Sequence, residues 1–206
     1  MTPPAILPDA LLLLDYVGIA VFAISGALLA AEKKQTLVTF IFFAVVTGVG
    51  GGTVRDLLIG APVFWVGTNA TLMICIAAAI GVWFLSRKTI ADKALLWFDS
   101  VGLAAYATYG AAKALNYGVA PVPAFAMGVM TACVGGIIRD VLAGEPSILM
   151  RPELYVTAAA LSSALMVALL LLGIPDYADG AAAALAGFGL RAGAILKGWK
   201  LPAYRD

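Results

Sequence analysis

The chain of 206 residues has no histidine, only two cysteines, and charged residues at 12%. Without histidine there is no Ser-His-Asp triad, no imidazole acid–base step and no His-containing metal site. Cys75 and Cys133 each sit in an apolar stretch. Two cysteines make neither a zinc site nor a disulfide framework, so they read as small apolar fillers. A net charge of +1 leaves no nucleic-acid footprint. No cofactor or metal is expected. What abounds is apolar: 63% of residues are hydrophobic and the mean hydropathy is +1.00. Soluble domains are about half apolar and a quarter charged. This excess cannot be hidden in one core of this size, so the chain reads as an all-α integral membrane protein, a single membrane domain over 1–206.

Apolar windows of about 20 residues, each long enough to cross a bilayer as a helix, recur near 11–30, 37–60, 66–85, 95–115, 121–144, 154–172 and 180–197. That predicts seven transmembrane helices joined by short connections. No Lys or Arg precedes Lys33, so the start lacks the basic region of a signal peptide and the first run reads as a retained span. One face of the membrane receives Lys33, Lys34, Arg87, Lys88, Lys93, Arg151, Lys197, Lys200 and Arg205; the other receives little beyond Lys113 and Arg55. The basic face is then cytoplasmic, with the N-terminus outside and the C-terminus inside. Trp65, Trp83, Trp97 and Trp199 fall near the expected helix ends, as an aromatic belt does.

Self-comparison shows an internal repeat. Asp15, Gly18, Ala20, Ala23, Gly26 and Ala27 align with Asp99, Gly102, Ala104, Ala107, Gly110 and Ala111; Gly51, Gly52, Arg55, Asp56, Leu58, Gly60 and Pro62 align with Gly135, Gly136, Arg139, Asp140, Leu142, Gly144 and Pro146. The offset is 84 throughout, without a gap, and about 20 of the 52 positions from Leu11 to Pro62 are identical. Repeat one covers about 11–85 and repeat two about 95–169, with the seventh helix, about 180–197, outside both. Three helices per copy invert the second against the first. Inverted-topology pairs belong to transporters and some channels, with the pathway at the repeat interface; the plain alternative is a duplication kept for folding.

The chemistry concentrates at equivalent places. Gly50, Gly51 and Gly52 lie mid-way along the second helix, and Gly135 and Gly136 along the fifth. Glycine costs about 1 kcal/mol of helix propensity, so these runs read as kinks or unwound turns lining a pathway, or as close packing through small residues. One turn later come Arg55-Asp56 and Arg139-Asp140, still at hydrocarbon depth. Charges there should face the interior or water and be paired. The expected pairs are Asp15–Arg55 and Asp99–Arg139, either holding the helices or lining a path. Lys113 and Glu32 read as near-surface charges, Lys113 a candidate for a pore mouth. Arg191, about two turns from the end of the seventh helix, can snorkel or pair.

Seven helices, two inverted repeats and the doubled Gly-Gly-x-x-Arg-Asp motif resemble the prokaryotic trimeric intracellular cation (TRIC) channel family, also grouped as a bacterial glycine-transporter family. The resemblance covers nearly the whole chain. It implies a homotrimer in the inner membrane, with a pore for potassium and sodium through each protomer, lined by the second and fifth helices at Gly50, Gly51, Gly52, Gly135 and Gly136. The second copy has Val134 where the first has Gly50. The acids Asp15, Asp56, Asp99 and Asp140 favour cations if they neutralise Arg55 and Arg139. Monovalent cations and membrane lipid are the expected partners. The alternative is a secondary transporter of glycine or another small neutral solute. An enzyme is not expected, for want of histidine, a Ser–Lys pair or an approachable carboxylate pair.

Overall fold

A computed structural model describes residues 9–85, 93–173 and 177–202. Among them are seven α-helices: α1 (Asp9–Glu32), α2 (Leu37–Leu58), α3 (Asn69–Phe84), α4 (Ala94–Asn116), α5 (Pro121–Leu142), α6 (Val156–Leu171) and α7 (Tyr177–Lys197). A short 3-10 turn, Ile148–Met150, precedes α6. Arg87, Lys88 and Arg205, part of the orientation argument, lie outside the described residues.

Local chemistry sets the ends. Thr68 caps α3 by accepting from the Ala70 N–H at 3.3 Å. Pro121 opens α5, where its missing N–H costs nothing. After α2 and α5 the chain turns at Gly60 and Gly144, both at φ +67, a left-handed conformation that favours glycine. The reversal is fastened in the same way in both copies: the Ala61 N–H donates to the Asp56 carbonyl at 2.9 Å, and the Glu145 N–H to the Asp140 carbonyl at 2.9 Å.

α1, α2 and α5 are long and apolar enough to cross a membrane by themselves. α3 and α6, 16 residues each, are about 24 Å long, short of the ~30 Å hydrocarbon core. α4 is the inner helix. Its polar residues Asp99, Ser100, Thr108 and Lys113 are buried in protein. A helix shielded from lipid need not be apolar all round.

The packing is duplicated. α1 packs on α2 and α3 as α4 packs on α5 and α6; α1 meets α4, and α2 meets α5, across the repeat interface; α7 lies against α6 and α4. At the α1–α4 contact the rings of Phe22 and Tyr106, positions related by the 84-residue offset, lie 5.3 Å apart. Each ring sits on the other repeat's glycine. A Cβ on Gly18 would stand 2.3 Å from Tyr106 Cδ1, and one on Gly102 would stand 2.9 Å from Phe22 Cδ2. Without a hydrophobic drive inside lipid, such close contact through small residues supplies the association energy.

Candidate functional site

α2 and α5 cross backbone to backbone. A Cβ on Gly51 would lie 2.0 Å from the Thr131 carbonyl oxygen, and one on Gly135 would lie 2.5 Å from that of Thr47. Thr47 and Thr131 are themselves repeat equivalents, so the pseudo-two-fold passes through this crossing. Both helices remain α-helical through their glycines. No turn is unwound here; the runs serve close approach, because any side chain would collide with the opposing main chain. Gly50 faces the same seam, 3.2 Å from Ile138 Cδ1 to its would-be Cβ. Gly52 and Gly136 have a different task. Each leaves room for the charged residues one turn on, Gly52 under the Phe64 ring and Gly136 beside Asp99 and the Tyr155 hydroxyl.

On the side of the crossing nearer the ends of α1 and α5 is a dense polar cluster. Arg139 Nη1 donates to Asp99 Oδ1 at 2.6 Å and to Ser25 Oγ at 2.9 Å, while Nε donates to Asp140 Oδ1 at 2.9 Å. The other oxygen of Asp140 accepts from the Ile148 N–H at 3.2 Å. Arg139 and Asp99 are each 1% exposed. Two carboxylates against one guanidinium leave this cluster formally at −1.

The equivalent cluster on the opposite side differs. Arg55 Nε donates to Asp56 Oδ1 at 2.9 Å, and Asp56 Oδ2 accepts from the Phe64 N–H at 3.0 Å, the counterpart of Ile148. Lys113, however, is not near the surface. It is 7% exposed and sits 2.8 Å from Asp56 Oδ1. Arg55 is turned to Asp56 and lies between the rings of Tyr109, 5.1 Å away, and Phe64, 5.9 Å away. Its Nη1 and Nη2 hydrogen-bond to nothing, Nη2 lying 2.8 Å from Asp56 at an unfavourable angle. The expected Asp15–Arg55 ion pair is not formed. Asp15 Oδ1 has no hydrogen-bond partner. With two acids and two bases this cluster is formally neutral.

The structure thus brings Asp99, Arg139 and Asp140 together, and joins Arg55, Asp56 and Lys113 with Asp15 alongside. Ser25 and Tyr109, equivalent positions of unlike chemistry, were not singled out in the sequence. Each touches the arginine or aspartate of its cluster. Glu32 is exposed as expected, Cys75 and Cys133 are buried and free, and Arg191 is buried and paired with Glu153 at 2.7 Å.

A cavity of about 220 Å³ opens beside Arg139 and Asp140, with Glu32, Glu145 and Arg151 on its rim. Across that rim Lys33 donates to Glu145 Oε1. The hydrogen bond and charge of the lysine hold the Glu145 carboxyl below its ordinary range.

A family model described as "Glycine transporter" matches residues 12–87 and again 96–170, one match per repeat. Among curated proteins, a UPF0126 membrane protein of Vibrio cholerae is 44% identical over 155 residues, 72% of this chain and 63% of its own length. The UPF0126 inner membrane protein YadS of Escherichia coli K12 is 43% identical over 148 residues, 70% of this chain and 72% of its own. This chain therefore spans under two thirds of the Vibrio relative. Among solved structures, the TRIC trimeric intracellular cation channel orthologue from Rhodobacter sphaeroides superposes with a TM-score of 0.86 at 41% identity, over 93% of this chain and all of that one. A structure reported for conductance through TRIC cation channels gives 0.82 at 30% identity, over 94% and 97%.

Proposed function

On the premise that this chain belongs to the glycine-transporter family, to which the TRIC channels belong, we propose that it is a channel for monovalent cations, potassium and sodium. The carrying observation is the net negative cluster of Asp99, Arg139 and Asp140, of which Arg139 and Asp140 reach a cavity also lined by Glu32, Glu145 and Arg151. Fixed carboxylates at a low-dielectric mouth concentrate cations and repel anions. The path runs along the α2–α5 seam past Gly50, Gly51 and Gly135, with Gly52 and Gly136 beside the charged cluster on either side of it. The contact at Gly51 and Gly135 is too tight for an ion, so this conformation is closed and conduction requires the two helices to part. Asp56, bridged to Arg55 and Lys113, closes the opposite side. Each protomer carries its own path, in a homotrimer of the inner membrane with the N-terminus outside and the cavity facing the cytoplasm. The names of the relatives and the side on which the basic residues fall support this arrangement.

The second reading is a secondary transporter of glycine or a similar small neutral solute. Its support is the inverted repeat with one cluster open to a cavity and its equivalent bridged shut, as one half of an alternating cycle would be. Liposomes loaded with potassium separate the two. A channel gives potassium efflux that does not saturate, driven by the gradient and indifferent to glycine. A transporter gives saturable glycine uptake and little potassium efflux.

A further inference from the structure

Away from that path, the ends of α4 and α7 and the segment after α7 enclose a second cavity of about 160 Å³. The chain turns at Gly198, φ +67, and folds back: Lys200 bridges Glu153 as an isolated antiparallel pair, and the Leu201 N–H donates to the Pro152 carbonyl at 2.9 Å. Trp199 fills the notch above Gly193, where a Cβ would lie 2.8 Å from its ring. This pins the segment as a wall.

The lining is basic. Lys93, Arg191 and Lys200 face a single carboxylate, Glu153. Arg191 is 1% exposed. Its Nη2 donates to Glu153 at 2.7 Å and its guanidinium lies over the Tyr155 ring at 5.4 Å, but Nε has no acceptor. A buried guanidinium with an unused donor is costly to leave unsatisfied. Lys93 also precedes the 23-residue α4 without a side-chain cap, so the positive end of that helix stands at the cavity edge. The cavity is bounded by Lys93, Lys200 and Trp199, basic and aromatic residues of the kinds that gather where helices meet headgroups.

We propose that this cavity binds a phosphate-bearing anion, held by the Arg191 guanidinium with Lys93 and Lys200 as flanking charges. Arg suits phosphate through its planar donor set, and basic clefts between helix ends hold anionic headgroups. The volume is below the ~300 Å³ of an organic-ligand pocket and fits a headgroup or free phosphate. The site lies off the ion path, so its test needs no current.

The test is lipid retention by the full-length protein in native mass spectrometry, with phosphatidylglycerol, phosphatidylcholine and inorganic phosphate as probes. The exposed lysines permit Lys93→Gln and Lys200→Gln without disturbing the core. Phosphatidylglycerol should be preferred over phosphatidylcholine, weakened about fivefold by each substitution and about 30-fold by both, with Lys34→Gln on the same face neutral. Displacement by millimolar inorganic phosphate would make free phosphate the ligand, and resistance to it a lipid headgroup; either sustains the site. No preference for either anion, or an equal loss with Lys34→Gln, would overturn it.

Discussion

Arg55 and Arg139 are equivalent in sequence yet keep different company, and the difference comes down to two positions. Where repeat one has Ser25, repeat two has Tyr109; where repeat one has Leu29, repeat two has Lys113. Ser25 gives Arg139 an extra acceptor, whereas Tyr109 gives Arg55 a ring. Lys113 brings Asp56 a second cation. Asp99→Asn weakens the 2.6 Å charge-assisted bond to Arg139, which keeps Asp140 and Ser25, so it should cost about 1.5–3 kcal/mol. Asp15→Asn should cost about 1 kcal/mol, since Oδ1 makes no bond to lose. Denaturation midpoints of the two variants in detergent check the order; equal losses would contradict it. The repeat pointed to Asp99–Arg139 and Asp15–Arg55 alike, and only the first is an ion pair here, because the residues around the two arginines differ. Lys113 was not readable, because its counterpart is a leucine and self-comparison carries no signal there.

The helices were legible to within about three residues at each end, since most occupy an apolar window and end near a proline, a glycine or a charge. The glycine runs were not. A run of small residues signals an unwound turn and a close crossing equally well, and only the position of the opposing helix decides. Here Thr47 and Thr131 present their carbonyls to Gly135 and Gly51. Gly51→Ala should therefore cost about 1–3 kcal/mol by forcing α2 from α5. Gly189 lies in α7 with nothing within 4 Å of a would-be Cβ. Gly189→Ala should stabilise by about 0.5–1 kcal/mol through helix propensity alone. Opposite signs for one substitution type, read by thermal unfolding, separate crossing glycines from incidental ones.

At the scale of the whole molecule, the inverted repeat builds two clusters of unequal charge on either side of one crossing. The offset of 84 announced the repeat, and the double match of one family model repeats it. The inequality arises from the few positions where the copies diverged. The two repeats are also joined at the cavity rim by Lys33 and Glu145, 112 positions apart in sequence. Because Lys33 lowers the Glu145 carboxyl below its ordinary value of 4.5, the pair stabilises the fold fully above that value. Its contribution is lost as pH falls through the lowered one. The gap in thermal midpoint between wild type and Glu145→Gln should be present at neutral pH and close well below pH 4.5. It should also shrink at about 1 M salt, where screening acts over ~3 Å. A gap that persists in acid would contradict the pairing. The central claim, that these clusters serve a cation path, is tested most directly by single-channel recording of the purified protein in planar bilayers under asymmetric KCl. The account predicts discrete unitary currents reversing near the potassium equilibrium potential. Reversal near the chloride potential, or no unitary current alongside saturable glycine uptake, would contradict it.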